Sequence, residues 1–172
     1  IYYLFITLLM IRVEYFNWIR DILYRFPLNS QGQDYTCLGK HKILESLLKS
    51  LGLEVRPRLC NTDWKSLCIP QEILKIPHTD NLYHVYLEVM IEGRWCRIDA
   101  SMDKGLRSKF PLIEWDGFNS TELFIGNPKG MIYSPEESNE KYAMARRGNF
   151  SDEIEFYSAL NNWFDDIRRA SF

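Results

Sequence analysis

A surplus of one charge is missing from this chain. Its 21 lysines and arginines face 23 aspartates and glutamates, a net charge of −2. That balance gives no electrostatic reason to expect nucleic acid or an anionic membrane as a partner. A long apolar run is missing too. Residues 1–11 are almost wholly apolar, but a bilayer span takes ~20 residues, so no membrane span is expected. The same stretch has no basic leader and no small-residue cleavage pattern, which argues against a signal peptide. Because the chain opens on Ile1 without an initiating methionine, it is read as a fragment or processed product, with this stretch packing as a buried first element. Cysteine is sparse, at positions 37, 60, 68 and 96, without the dense spacing of a disulfide framework. A reducing, cytoplasmic setting is therefore the default. Asn119-Ser120-Thr121 and Asn149-Phe150-Ser151 match the glycosylation acceptor pattern, but two chance matches are unremarkable in this length. Internal repeats and low-complexity segments are absent as well.

What is present is the composition of an ordinary globular protein, 46% hydrophobic and 26% charged. A length of 172 residues suits one domain over 1–172, with a core that needs no staples. Aromatic residues at 15% favour a sheet-containing core and an aromatic-walled cleft.

Apolar residues from Leu8 through Ile11, Tyr15, Trp18, Ile19, Ile22 and Leu23 to Phe26 follow helical spacing, and Pro27 stops the run. A polar loop over 29–35 leads to a second helix marked by Leu38, Ile43, Leu44, Leu47, Leu48 and Leu51. Thr36 is its expected N-cap and Gly52 its C′ residue. Residues 53–60 read as a strand that Pro57 makes an edge or an irregular one, and 61–81 as a long loop. The clearest β signal follows. Residues 83–91 alternate, Glu92-Gly93 turns the chain, and 94–100 return. Thr121 to Ile125 is a further candidate strand. A last helix, capped by Ser151, carries the stripe Ile154, Tyr157, Leu160, Phe164 and Ile167.

The two-residue turn fixes the hairpin register: Ile91 opposite Arg94, Met90 opposite Trp95, Glu88 opposite Arg97 and Tyr86 opposite Asp99. Glu88 and Arg97 then form a complementary pair. His84 and Asp99 share a face on diagonal positions ~7–8 Å apart, a gap that imidazole and carboxylate bridge. Cys37 opens the second helix, whose N-terminus favours negative charge. A thiol nucleophile with an imidazole base and an orienting carboxylate is the chemistry of acyl transfer. A free thiol titrates near 8.5, so an adjacent imidazolium is needed to supply thiolate at neutral pH. The oxyanion requires donors. The Cys37 backbone N–H is one candidate, with Gln31, Gln33 and Tyr35 as candidate side-chain donors. Trp95 shares the hairpin face as a candidate substrate contact.

Thr36-Cys37 before an apolar helix, His84-Val85-Tyr86-Leu87-Glu88, Gly93-Arg94-Trp95 and Asp99-Ala100-Ser101 together resemble the transglutaminase-like superfamily. The resemblance covers roughly residues 30–105. It implies an α+β papain-like fold, with N-terminal helices packed against a small antiparallel sheet, and a Cys-His-Asp triad of Cys37, His84 and Asp99. The chain departs from the pattern at Tyr35, where many members have glycine, and at Ala100, where proline is commoner. Nothing resembles the acidic calcium sites of the large animal cross-linking enzymes. The implied activity is a thiol-dependent hydrolase or acyltransferase acting on a peptide or protein amide, without cofactor or metal. Two alternatives stand beside it: an inert interaction module on the same fold, and an arylamine acetyltransferase using coenzyme A.

Each residue taken singly has a blander reading. Cys37 would be a small buried apolar residue, His84 a satisfied structural histidine, Asp99 a strand-end cap, and Trp95 part of a packed layer. Cys37 and His41 at i, i+4 also match a metal pair, but Cys60 and Cys68 do not complete a ligand-like spacing. Cys96 points away from Asp99 and is read as core. Oligomeric state and substrate identity are not fixed by these residues.

Overall fold

A computed structural model describes residues 2–29, 31–128, 130–144 and 150–171. Asn149, and with it one glycosylation match, lies outside the described residues. The class is α+β. The elements run α1 (Tyr2–Asp21), α2 (Cys37–Ser50), β1 (Val55–Asp63), α3 (Gln71–Leu74), β2 (Asn81–Ile91), β3 (Arg94–Ile98), α4 (Pro135–Met144) and α5 (Ile154–Ala170). Among the described residues no helix is long and apolar enough to cross a membrane.

The sheet is antiparallel in the order β1-β2-β3. Glu92 and Gly93 both have positive φ, 48° and 80°, the type I′ turn whose twist suits a two-residue hairpin. The observed pairs Glu88↔Arg97, Met90↔Trp95 and Ile91↔Arg94 match the register expected from the turn. The regular ladder stops at Leu87↔Ile98, so Asp99 lies one residue beyond the strand. Glu88 is held by Arg56 and Arg58 of β1, at 2.7 and 2.6 Å. Its cross-strand neighbour Arg97 turns instead to the Thr121 carbonyl. With its charge already balanced by two guanidiniums, Glu88 gains little from a third, and Arg97 finds a backbone acceptor.

β1 is an edge strand carrying Pro57. Its outer edge is covered: Asn61 N–H donates to the Met131 carbonyl, Tyr133 N–H to the Leu59 carbonyl, and Leu59 N–H to the Ser138 hydroxyl. This removes a row of unpaired donors from the surface. Two apolar cores flank the sheet. Phe16 and Ile19 of α1 and Leu44 and Leu48 of α2 pack on Leu87, Val89 and Ile98. The second core joins Phe156, Leu160, Phe164 and Ile167 of α5 to Tyr24, Phe26, Trp64 and Phe124.

Several elements depart from the expected boundaries. α1 ends at Asp21 rather than Phe26, and a lysine from α2 takes the Arg20 and Ile22 carbonyls on either side of that end, as described below. Leu8, Met10, Trp18 and Leu23 are exposed, so the apolar start of α1 is not a fully buried element. Residues 121–125 are not a strand; Thr121 joins β3 through one N–H bond to the Arg97 carbonyl. α5 starts at Ile154 after a 3₁₀ turn over Phe150–Glu153, which places Glu153 rather than Ser151 at its N-cap position. Ile154 is exposed, and Phe156 takes its place in the buried stripe.

Candidate active site

Cys37 is the first residue of α2, and Thr36 stands at the N-cap position. Thr36 does not cap with its side chain. Its N–H and hydroxyl both donate to Asp34 Oδ1, at 2.8 and 2.6 Å. The first-turn N–H groups of α2 are therefore left for other partners. Gly39 makes this entry feasible, because a Cβ there would sit 1.9 Å from the Asp34 carbonyl oxygen.

His84 is 1% exposed and donates from Nε2 to Asp99 Oδ2 at 2.9 Å. The edge of its ring meets Phe124, with centroids 4.8 Å apart at 88°. With Nε2 committed to Asp99, the buried Nδ1 has no hydrogen-bond partner and is the ring atom left for sulfur. Burial alone would push this imidazole down. The Asp99 charge and hydrogen bond, with a further contribution from the Cys37 side chain, outweigh burial and hold it up at about 10. Asp99 is fully buried and accepts three more hydrogen bonds, from Phe124 N–H, Ser101 N–H and the Ser101 hydroxyl. Burial opposes its charge, but His84 and these donors hold its carboxyl well below the usual range.

Lys40 and His41, one turn into α2, are fully buried. Lys40 Nζ donates to the carbonyls of Arg20, Ile22 and Ser101, at 2.7, 2.8 and 2.5 Å. One ammonium thus closes the end of α1 and fastens it to the corner after Asp99. His41 Nδ1 lies 2.7 Å from the Cys37 carbonyl, and Ala100 N–H donates to His41 Nε2 at 2.9 Å. Those partners require a neutral ring protonated on Nδ1. Burial agrees, pushing His41 down to about 4. The pair ties the nucleophile turn to the carboxylate corner by two independent routes.

Cys37 lies in the wall of a cavity of about 810 Å³. Tyr24 shares that wall, where burial and the neighbouring Cys37 thiol push its hydroxyl well above the ordinary phenol range. Tyr24 is fixed from behind: its N–H donates to Asp103 Oδ2, and Arg168, paired with Asp103 at 2.7 Å, donates to its carbonyl. The structure thus brings Cys37, His84 and Asp99 together. It leaves Gln31, Gln33, Tyr35 and Trp95 outside the cavity wall. Gln31 and Gln33 are exposed, Tyr35 bridges to Arg25, and Trp95 lies beneath the Arg56 guanidinium at 4.0 Å. Cys60, in contrast to Cys37, sits in the core, where burial pushes its thiol up to about 12. Among the described residues no cluster of histidine, cysteine and carboxylate side chains is arranged to hold a metal.

The chain matches no family model, no curated protein and no solved structure. Inference about function therefore begins from the site itself.

Proposed function

We propose that this chain is a cysteine-dependent hydrolase or acyltransferase on a papain-like, transglutaminase-like fold, acting on an amide bond of a peptide or protein. One observation carries the reading. A buried imidazole is held by a carboxylate through Nε2, with Nδ1 left for the thiol that opens α2 in a cavity wall.

The raised His84 pKa sets the order of proton transfers. The Asp99 charge favours the doubly protonated ring of His84, whose positive charge stabilises the sulfur anion that attacks. Sulfur adds to the amide carbonyl, and the oxygen takes up negative charge against the Cys37 N–H and the Tyr24 hydroxyl. The C–N bond then breaks as Nδ1–H of His84 protonates the departing amine. Neutral His84 next takes a proton from water or an acceptor amine, which attacks the thioester and returns the thiolate–imidazolium pair. Asp99 keeps the ring oriented throughout and stabilises its charged form whenever it carries both protons.

The test is alkylation by iodoacetamide at pH 6, with each cysteine followed by mass spectrometry. Exposed Cys68 serves as the ordinary thiol in the same molecule. Cys37 is expected to react at least about tenfold faster than Cys68, and His84→Ala to abolish that lead. Reaction of Cys37 no faster than Cys68 would favour the inert module.

A further inference from the structure

We infer that the acyl group delivered to Cys37 carries a bulky uncharged side group, aromatic or branched aliphatic, seated in the cavity beside the sulfur. The inference rests on the thiol-enzyme reading above.

The cavity, at about 810 Å³, falls within the ~300–1,000 Å³ of small-molecule and side-chain pockets. The apolar part of its wall is supplied by elements distant in sequence: Phe26 before α2, Leu59 of β1, Trp64, Leu82 and Val85 of β2, and Tyr157 of α5. The rings brace one another, Phe26 against Trp64 at 5.8 Å and against Tyr157 at 4.7 Å. A wall already packed in this way costs little ordering when a side group enters.

The charges at the wall argue for an uncharged occupant. Asp34, Asp152 and Glu153 face a single ammonium, Lys141, so an anionic group meets net repulsion. A cationic group would lose its water against Phe26, Leu59 and Val85, while Asp34 already accepts from Thr36 and Glu153 from Thr79. Lys141 itself lies over the rings of Tyr133 and Tyr83, at 4.8 and 5.5 Å. A polar amide side group would lose water against Leu59, Val85 and Phe26.

The experiment uses the p-nitrophenyl esters of N-acetyl-phenylalanine, N-acetylglutamine and N-acetylglycine. In each, sulfur bonds to the carbonyl carbon, the ester C–O bond breaks, and p-nitrophenolate leaves with the bonding pair. Acylation rates are normalised to those of free N-acetylcysteine, and adduct mass locates the acyl group. The phenylalanine ester is expected to acylate Cys37 at least about tenfold faster than the other two. Leu82→Glu, which adds a carboxylate to the half-buried wall, is expected to reduce that preference at least fivefold, roughly, and Leu82→Ser to reduce it less. Equal normalised rates for the three esters would overturn the side-group inference while sparing the thiol-enzyme reading. So would a preference that survives Leu82→Glu. If iodoacetamide modifies Cys37 but no ester acylates it, the thiol-enzyme reading itself fails, and the inference with it.

Discussion

Tyr24 shows how much a single hydroxyl can matter at this site. Its ring stands edge-on to Phe26 and Phe164, at 5.6 and 5.8 Å, and its backbone is pinned by Asp103 and Arg168. The ring is thus held with little freedom in the cavity wall that Cys37 shares. Tyr24→Phe keeps the ring and its packing while removing one oxyanion donor. It is expected to lower kcat by ~10²-fold with KM nearly unchanged. Steady-state kinetics on an activated ester check this, and an unchanged kcat would remove Tyr24 from the mechanism. No local signal in the sequence marks Tyr24. It falls within the helical run before Pro27, and only the premature end of α1 carries it out of the helix and into the cavity wall. The shared face of His84 and Asp99 was legible because a turn of fixed length sets hairpin register, and the position of Cys37 because it opens the apolar run of α2. The position of Tyr24 was not, because contacts between distant segments leave no periodic trace.

At the scale of elements, the junction of α1, α2 and the Asp99 corner depends on Lys40. Its three carbonyl acceptors come from Arg20, Ile22 and Ser101, so removing the ammonium orphans buried groups on both sides of the site. Lys40→Met is expected to destabilise the fold by ~3 kcal/mol, measured as a shift in urea midpoint at pH 7. A shift within ~0.5 kcal/mol would show that the three bonds do not hold the junction. Pattern reasoning extends α1 to Phe26 because the apolar spacing continues that far, and nothing in spacing reports a distant lysine that takes the last carbonyls. α4 was missed for the opposite reason: only Ser138 and Tyr142 of its ten residues are buried, too few to make a periodic stripe. Its start did carry a signal. In Ser134-Pro135-Glu136-Glu137 the Ser134 N–H donates to Glu137 Oε2, and the Glu137 N–H donates to the Ser134 hydroxyl, a reciprocal capping box with proline at the first helical position. The apolar sequence of residues 121–125 suggested a strand. In place of a ladder, that segment supplies Phe124, whose N–H donates to Asp99 and whose ring meets His84.

Across the whole molecule, four buried groups set how stability responds to pH. His41 stays neutral in the fold down to about 4, whereas unfolded it takes a proton near 6.5. Stability therefore falls as pH drops from 6.5 toward 4, before Asp99, with its lowered pKa, begins to lose its own contribution. On the alkaline side the His84 contribution is complete below 6.5 and is lost as pH rises through about 10. Lys40 acts in the opposite sense. Burial pushes it down to about 7 from 10.5, so the unfolded chain binds the extra proton between those values and stability gains as pH rises. The two alkaline effects oppose, leaving a shallow alkaline limb and a steeper acid one. Urea denaturation from pH 4 to 9.5 is expected to show a loss beginning near 6.5 of up to ~1.4 kcal/mol per pH unit on the acid side. Lys40→Met should uncover the alkaline decline that His84 contributes. An acid limb that stays flat down to pH 4 would contradict the assignment of His41.

Thiol, imidazole and carboxylate acting as one unit is the central claim, and the protonation of His84 followed by nitrogen NMR measures it most directly. The expected result is a ring that keeps both protons until pH nears 10 and that titrates lower, toward 6.5, in Asp99→Asn and, by a smaller margin, in Cys37→Ala. An ordinary titration near 6.5 in the unaltered protein, indifferent to both substitutions, would contradict it.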